Sequence, residues 1–412
     1  MDRSIPRRFS IGLICTIICF SFSYSPAPAA NDSTVTPCQG SINDLKNAYE
    51  SNPEFKKLLD SALKNIQHLP SAYPDDNPWI GAKFTDLTDF FTDWCTFLPE
   101  MKGGHDDGLK YIQKFAWFYY HNEYGVKLVK ESPGRQITQK FSRERGAFMD
   151  SKASTAKIEE WIQDPRVEIK EYVLPDPSAP DGGFKSFNEF FARKLISLPA
   201  SRPQTMPDRD YIISAPTDCI MNSVPQKITG IDTKIQTKFN QALNIVEMLD
   251  GSQYANKFIG GTALSCVLMP NTYHHYHSPV SGEAVESKII EDPYYGYDNF
   301  PDWAPASGNV GYSGTEFNQF EDFKRGYFII DTKKFGHVAM VPVGLNTISS
   351  IVFENKFQNI TKPVPVTRGE ELGHFLYGGS LFIMIFEPGR YKSGAIQVRL
   401  GNQIGLFDTK SD

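Results

Sequence analysis

Apolar residues recur at steps of three and four positions through the first third of the chain. The pattern runs through residues 41–69, with Pro53 breaking it into two parts, and returns in residues 84–98 and 109–129. A step near 3.6 places side chains on one face of a helix. We therefore predict a helical N-terminal domain over residues 38–172, in which the aromatic residues form a packing core rather than a ligand site.

The pattern changes after a stretch of turn-forming residues at 174–183. Beyond it, short runs typical of β-strands are separated by Gly, Pro, Asn and Asp. These runs cover residues 327–330, 337–343, 348–353, 381–386 and 395–400, and a long loop is expected at 292–312. The predicted fold class is α+β, with a β-rich domain over residues 184–412.

The charge balance excludes one class of partner. Lys and Arg number 42 against 48 Asp and Glu, which gives a net charge of −6 over 412 residues. Such a chain offers no broad basic surface to a phosphate backbone, so nucleic-acid binding is not expected.

The first residues resemble a secretory signal. Arg3, Arg7 and Arg8 precede an apolar run at 11–22, and small residues follow at 25–30. This order of charged, apolar and small residues predicts a signal peptide over residues 1–29. The expected location is the secretory pathway with an extracellular or periplasmic destination, while an uncleaved anchor and peripheral membrane contact stay open.

Four cysteines remain once that segment is removed. Cys38 and Cys95 can bridge across the N-terminal region in an oxidising compartment, whereas free buried thiols at these two positions and at Cys219 and Cys266 are the equal alternative. No CxxC pair is present, so neither a zinc site nor a thioredoxin-like site is expected, and no metal is predicted.

Unusual polar residues gather in three segments, at 214–218, 273–279 and 377–380, which supply an Asp, several His and a Ser in that order. A serine hydrolase is one reading of such a set. Ser380, however, lies in Gly-Gly-Ser-Leu-Phe rather than in the G-x-S-x-G turn that exposes a hydrolase nucleophile.

The amino-acid sequence around these residues is similar to that of a known family. The matching segments are Phe-Asn-Glu-Phe-Phe-Ala-Arg-Lys-Leu at 187–195 with Ser-Arg-Pro at 201–203, the Tyr-His-x-x-His-Ser-Pro-Val-x-Gly run at 273–282, Val-Pro-Val-Gly at 341–344, and 368–375 leading into Gly379-Ser380. Together they resemble the phosphatidylserine decarboxylase family over residues 184–390, in the family's order. We expect residues 187–195 to be a structural helix with Arg193 and Lys194 outward.

The resemblance implies a proenzyme that cleaves itself between Gly379 and Ser380. Ser380 Oγ attacks the Gly379 carbonyl, and the resulting ester eliminates to dehydroalanine, which hydrolyses to a pyruvoyl group. Two glycines suit a strained and exposed turn at such a bond. The products are two chains, the smaller being residues 380–412, and the pyruvoyl carbonyl withdraws electrons as substrate carbon dioxide leaves.

The same resemblance assigns roles to three further residues. His277 is the base for self-cleavage, Asp218 orients it, and His274 protonates the substrate carbon after decarboxylation. The family usually has Gly after this Asp, whereas Cys219 follows it here. We expect His275 to be an exposed neighbour, and His337 and His374 to be residues of a strand surface.

The substrate has two candidates. The family's common activity favours phosphatidylserine, decarboxylated to phosphatidylethanolamine in phospholipid biosynthesis. Residues 48–53 and 344–349, however, resemble a branch that includes fungal L-tryptophan decarboxylases, and Tyr294 to Trp303 could close over a free aromatic amino acid. An uncleaved secreted binding protein is the lesser alternative, because both His277 and Ser380 are present.

Overall fold

This computed structural model describes a set of ranges: residues 36–66, 77–102, 105–106, 111, 114–115, 118–119, 122–221, 226–233, 235, 244–290, 324–344, 351–377 and 380–394. The predicted signal peptide, the loop at 292–312, the strand at 395–400 and Gly379 lie outside them. From Pro37 onward the chain forms one compact unit. The domain boundaries given above stay predictions.

Helices dominate the first part of the chain, as the spacing of apolar residues predicts. They are α1 (Gln39–Ser51), α2 (Pro53–Ile66), α3 (Phe84–Thr96), α4 (Glu123–Lys130) and α5 (Gly134–Met149). Pro53 is the first residue of α2, where its missing N–H costs nothing. The Asn52 side chain accepts hydrogen bonds from the Glu54 and Phe55 amides at 3.1 and 3.0 Å and so caps the helix.

A disulfide joins two of these helices. Cys38, directly before α1, is bonded to Cys95 in α3, with the Cα atoms 6.0 Å apart. Of the two alternatives for this pair, the bridge is therefore the one that the structure contains. The buried Arg145 of α5 donates to the Cys95 and Phe97 carbonyls, which ties the same end of α3 to a third helix.

Shorter helices connect this region to the sheet: α6 (Ile158–Gln163), α7 (Phe187–Phe191), α8 (Leu198–Ser201) and α9 (Ile245–Met248). The expectation that Arg193 points outward is wrong. Its guanidinium lies 4.3 Å from the Tyr172 ring centroid and donates to the Asn271 and Thr272 carbonyls at 2.6 and 3.2 Å. Helix α7 ends before Arg193, so helical spacing does not set the direction of that side chain.

The strands of the second part are antiparallel throughout the described pairings. Eight of them form one sheet, in the order β11-β7-β8-β9-β13-β5-β3 with β4 also paired to β5, and β10-β12-β6 form a second. The strands are β1 (Met101–Lys102), β2 (His105–Asp106), β3 (Ile220–Met221), β4 (Gln226–Lys227), β5 (Thr262–Val267), β6 (His275–His277), β7 (Gly282–Ile290), β8 (Arg325–Asp331), β9 (His337–Gly344), β10 (Ile351–Phe353), β11 (Val364–Val366), β12 (Glu371–Phe375) and β13 (Ser380–Phe386).

Strand β13 is buried on both faces. Leu381, Ile383 and Ile385 belong to an apolar cluster that also contains residues of α1 to α5, while the alternate residues of β13 join a cluster with α6 and α7. A strand covered on both sides has an uninterrupted apolar sequence, which is why Leu381 to Phe386 shows no polar alternation. The α+β class is confirmed.

Within the described ranges, every helix is too short or too polar to cross a bilayer.

Candidate active site

The histidine-rich strand β6 divides the candidate residues between its two faces. Successive side chains of a strand alternate, so His275 and His277 share one face, together with the preceding Tyr273. Ring stacking follows this arrangement, since the Tyr273 ring centroid lies 5.1 Å from that of His275 and 5.7 Å from that of His277. His274 points the other way and stacks on Phe191 of α7 at 3.7 Å.

Both ring nitrogens of His277 have partners. Nδ1 lies 2.9 Å from the Gly369 carbonyl and Nε2 lies 3.0 Å from the Tyr273 hydroxyl. A carbonyl only accepts, so Nδ1 carries the proton of the neutral ring and Nε2 presents its lone pair to Tyr273. Burial is the largest influence on His277 and lowers its pKa, although the Gly369 hydrogen bond acts in the opposite direction. His277 is therefore fixed as a neutral base with Nε2 as its basic atom.

Asp218 lies on the same cavity as His277 but is hydrogen-bonded elsewhere. Its carboxylate accepts hydrogen bonds from Nε and Nη2 of Arg202 at 2.8 and 2.7 Å. Arg202 also donates a hydrogen bond to Glu171 at 2.7 Å. The segment carrying Asp218 runs beside β6, because the His277 amide donates to the Pro216 carbonyl at 2.7 Å. Arg202, Asp218, Tyr273, His277 and Gly369 all line this cavity of about 740 Å³.

The Gly369 carbonyl thus holds His277 at Nδ1, whereas the family resemblance implies that Asp218 has this orienting role. The Asp218 charge still acts on His277 and raises its pKa, as one of the weaker influences. The sequence analysis missed two residues that contact the candidate pair, Tyr273 beside His277 and Arg202 beside Asp218. Both stand inside quoted motifs, the Tyr-His-x-x-His run and Ser-Arg-Pro, which is the signal that could have found them.

His274 has one free nitrogen in a buried setting. Its Nδ1 lies 2.9 Å from the Thr272 carbonyl, so Nδ1 carries the proton of the neutral ring. Nε2 is buried and has no hydrogen-bond partner among the described residues. Burial, followed by the charge of Arg193, lowers the pKa of His274 well below its ordinary value. The lone pair of Nε2 is thereby kept available for a proton.

Ser380 is the first residue of β13 and is buried. Its carbonyl accepts from the Leu268 amide at 3.1 Å, while its Oγ is buried without a hydrogen-bond partner in the described part of the chain. A buried hydroxyl without a partner is uncommon because its desolvation is not compensated. Such an atom fits a serine that reacts and gives rise to a prosthetic group.

The residues just before Ser380 are held by the helices. The Tyr377 amide donates to Asn188 Oδ1 at 3.0 Å, and Asn188 Nδ2 donates to Asp150 Oδ1 at 2.8 Å. Tyr377 also lies 5.5 Å from the ring of Phe191, on which His274 stacks. Tyr377, three residues before Ser380, and His274 therefore both pack against Phe191 of α7.

Two further expectations need correction. His275 is 1% exposed rather than an exposed neighbour, because its nitrogens contact Glu371 Oε1 and the Ala192 carbonyl. His337 in β9 and His374 in β12 do lie in strands, as expected, and are half-buried. The residue after Asp218 also has a defined role, since Cys219 is bonded to Cys266 of β5, with the Cα atoms 5.4 Å apart. The free-thiol alternative is thus wrong for this pair as well.

The sequence model of the phosphatidylserine decarboxylase family matches residues 187–406, which include β6, β12 and Ser380. That range exceeds half of the chain. The chain belongs to the phosphatidylserine decarboxylase family. The expected enzyme class, a carboxy-lyase, is confirmed at the level of this family.

Relatives in the phosphatidylserine decarboxylase family differ in how much of their length the chain covers. Phosphatidylserine decarboxylase proenzyme 3 of Schizosaccharomyces pombe is 30% identical over 269 residues, and the chain spans only 24% of that protein. The proenzyme of Fusobacterium nucleatum is 30% identical over 273 residues, with 66% of this chain and 81% of that one covered. Decarboxylase iboD of Amanita muscaria is 27% identical over 329 residues, covering 76% and 87%.

Proposed function

We propose that this chain is a self-processing decarboxylase that generates a pyruvoyl group from Ser380 and acts on phosphatidylserine. The observation that carries the proposal is the buried Ser380 Oγ, which has no partner among the described residues and follows Gly379 in a member of this family. The names of the Schizosaccharomyces and Fusobacterium relatives support a phospholipid substrate. The product would be phosphatidylethanolamine.

The proposed cleavage begins with attack of Ser380 Oγ on the Gly379 carbonyl carbon. The hydroxyl proton leaves to a base, the Gly379–Ser380 amide bond breaks, and an ester to Ser380 Oγ forms in its place. A base then removes the Cα proton of Ser380, the Cβ–Oγ bond breaks with release of the Gly379 carboxylate, and dehydroalanine remains. Water then replaces the amine nitrogen, ammonia departs, and residue 380 ends as a pyruvoyl group.

His277 is the proposed base for this step, as the family resemblance implies; its ring nitrogens contact Tyr273 and Gly369, and no hydrogen bond joins it to Ser380 among the described residues. Its neutral tautomer is fixed by the Gly369 carbonyl, so the proton is taken at Nε2, where Tyr273 is now the partner. Asp218 acts on the resulting imidazolium through its charge, across the shared cavity, while Arg202 holds the carboxylate in place.

The mature site would combine the pyruvoyl group with His274. When bound, that group supplies an electron-withdrawing carbonyl to the substrate amine. His274 Nε2 has no partner among the described residues and is neutral at physiological pH, so it can take a proton from the substrate ammonium group. It then returns that proton to the substrate carbon after carbon dioxide leaves.

A free amino acid is the second candidate substrate. Its support is decarboxylase iboD, whose match covers 329 residues against 273 for the Fusobacterium enzyme, and whose name specifies no phospholipid. We also propose a location for the enzyme. The signal peptide of residues 1–29 directs the chain to the secretory pathway, and peripheral contact with a membrane there gives access to the lipid substrate.

The deciding experiment measures mass and activity on one preparation. We expect intact-mass analysis to give two chains, with residues 380–412 carrying a blocked pyruvoyl terminus. Ser380→Ala should give one uncut chain without decarboxylase activity, and borohydride should abolish the activity of wild type. A fully active, uncut wild-type chain would overturn self-processing.

The substrate is tested by carbon dioxide release from phosphatidylserine in mixed micelles, and separately from free tryptophan, phenylalanine, tyrosine and serine. We expect release from the lipid. Release from a free aromatic amino acid with none from the lipid would overturn this assignment and establish the second candidate.

A further inference from the structure

A second polar cluster lies on the same face of β6 as His277, and decarboxylation gives it no role. It consists of His275, Glu371 and His374. His275 and His374 stand directly opposite each other in the pairing of β6 with β12. Residues three apart in a strand normally face opposite sides, but the register shifts between Glu371 and Gly373. The irregularity turns Glu371 to the side of His374, and the ligand atoms of all three lie within 4.8 Å of one another.

The hydrogen bonds of His275 leave a position for a proton or a metal ion between its ring and Glu371. Its Nε2 lies 2.8 Å from the Ala192 carbonyl, so Nε2 carries a proton. In the neutral ring Nδ1 then has a lone pair, which faces Glu371 Oε1 at 2.5 Å. A lone pair and a carboxylate oxygen repel each other at this distance unless a proton or a metal ion lies between them.

The third member of the cluster offers an unused ligand atom. His374 Nδ1 is buried and has no hydrogen-bond partner among the described residues.

We propose that His275 Nδ1, Glu371 Oε1 and His374 Nδ1 bind one divalent transition-metal ion, with Zn²⁺ as the best match. Two imidazoles and one carboxylate leave a fourth position for water, as in open zinc sites. The contact from His275 Nε2 to the Ala192 carbonyl is the kind that orients a metal-bound imidazole.

The ligand spacing needs two small adjustments, because ligand atoms up to 4.8 Å apart must also come closer together around one ion. Zinc bonds of about 2.1 Å in tetrahedral geometry put ligand atoms about 3.4 Å apart, so Glu371 Oε1 must move away from His275 by about 1 Å. The Glu371 side chain is 28% exposed and has room to rotate. His275, which is buried, can stay where it is.

The test uses the full chain, purified without a polyhistidine tag, stripped with EDTA and titrated with Zn²⁺ in a calorimeter. We expect one ion per chain. Glu371→Gln and His374→Ala each remove a ligand and should weaken binding by at least about 10- to 100-fold, the loss that removing a partner outside the ligand shell already causes. Bound Co²⁺ should show the visible spectrum of a four-coordinate ion, which a merely structural cluster would not produce.

A matched control is available in His337, whose Nδ1 lies 2.7 Å from Glu387 Oε1. That pair is not part of any three-residue ligand group in the described chain, so His337→Ala should bind zinc as wild type does. No stoichiometric binding by wild type, or binding that survives both cluster variants, overturns the proposal. If His374→Ala fails to fold, the nearly isosteric Glu371→Gln decides. Titration without substrate makes the outcome independent of decarboxylase activity.

Discussion

Histidine rings on the two faces of β6 differ in their hydrogen bonding. On one face, His277 has a partner at each ring nitrogen and borders a cavity. On the other, His274 is packed against Phe191, and its buried Nε2 has no hydrogen-bond partner among the described residues. A ring held at both nitrogens is fixed in position and tautomer, which suits a base that acts once during self-cleavage. A ring with a free nitrogen can exchange a proton in each turnover. In our proposal, the difference separates self-cleavage from catalysis within four residues.

The largest expected effect tests this separation directly. His277→Ala should slow self-cleavage by about 10²- to 10⁴-fold, because a general base is lost. His274→Ala should instead be cleaved at a near-normal rate and yield two chains that release little carbon dioxide. Gel electrophoresis over time and a carbon dioxide assay measure the two outcomes. Normal cleavage in His277→Ala would move the base to another residue.

A smaller effect is expected at the Asp218–Arg202 ion pair. Asp218→Asn removes one of two negative charges that favour the imidazolium form of His277, the other being Glu371. Because the Asp218 charge is the weaker influence, we expect cleavage to slow by less than about tenfold, which is less than about 1.4 kcal/mol. The rate of appearance of the chain 380–412 measures this. Lys185→Gln, an exposed charge outside the cavity, serves as the control. An unchanged rate in Asp218→Asn would remove Asp218 from the mechanism.

Tyrosines on the two faces provide a matched pair. Tyr273→Phe removes the hydrogen bond to His277 Nε2, and a loss of about 0.5–1.5 kcal/mol predicts a change in cleavage rate of about two- to tenfold. Tyr276→Phe, on the face of His274, removes a hydrogen bond of 2.8 Å to the Val352 carbonyl. It should lower the free energy of unfolding by a similar amount and leave cleavage unchanged. Equal cleavage rates in both variants would contradict the distinction.

The smallest effect on cleavage is expected from the disulfides. Replacing Cys219 and Cys266 by Ser should lower the free energy of unfolding by about 2–4 kcal/mol and slow cleavage only about twofold, because Asp218 is still held by Arg202. Replacing Cys38 and Cys95 should destabilise to a similar extent without any change in cleavage. Denaturant melts and cleavage time courses check both. A larger cleavage defect in the second pair would contradict this assignment.

Regular patterns were predictable from the sequence, and contacts between distant polar groups were not. The helical spacing before residue 150 and the apolar run in β13 report burial directly, so the α+β class followed from them. Arg193 and His275 are polar residues whose burial depends on carbonyl and carboxylate partners far along the chain. No local pattern encodes such partners. The same holds for the choice of Gly369 over Asp218 as the partner of His277, since a backbone carbonyl has no sequence signature.

The position of β13 within the sheet bears on what self-cleavage would leave behind. Leu381 to Phe386 pair with β5 on one side and with β9 on the other. A backbone cut ahead of Ser380 would therefore release no free fragment, since the short chain would begin as an interior strand held by two ladders of hydrogen bonds. Separating the two polypeptides requires opening the sheet, so cut and uncut protein should elute at the same volume under native conditions. Proteolytic maturation in this molecule would change the number of chains and leave the number of folded bodies at one.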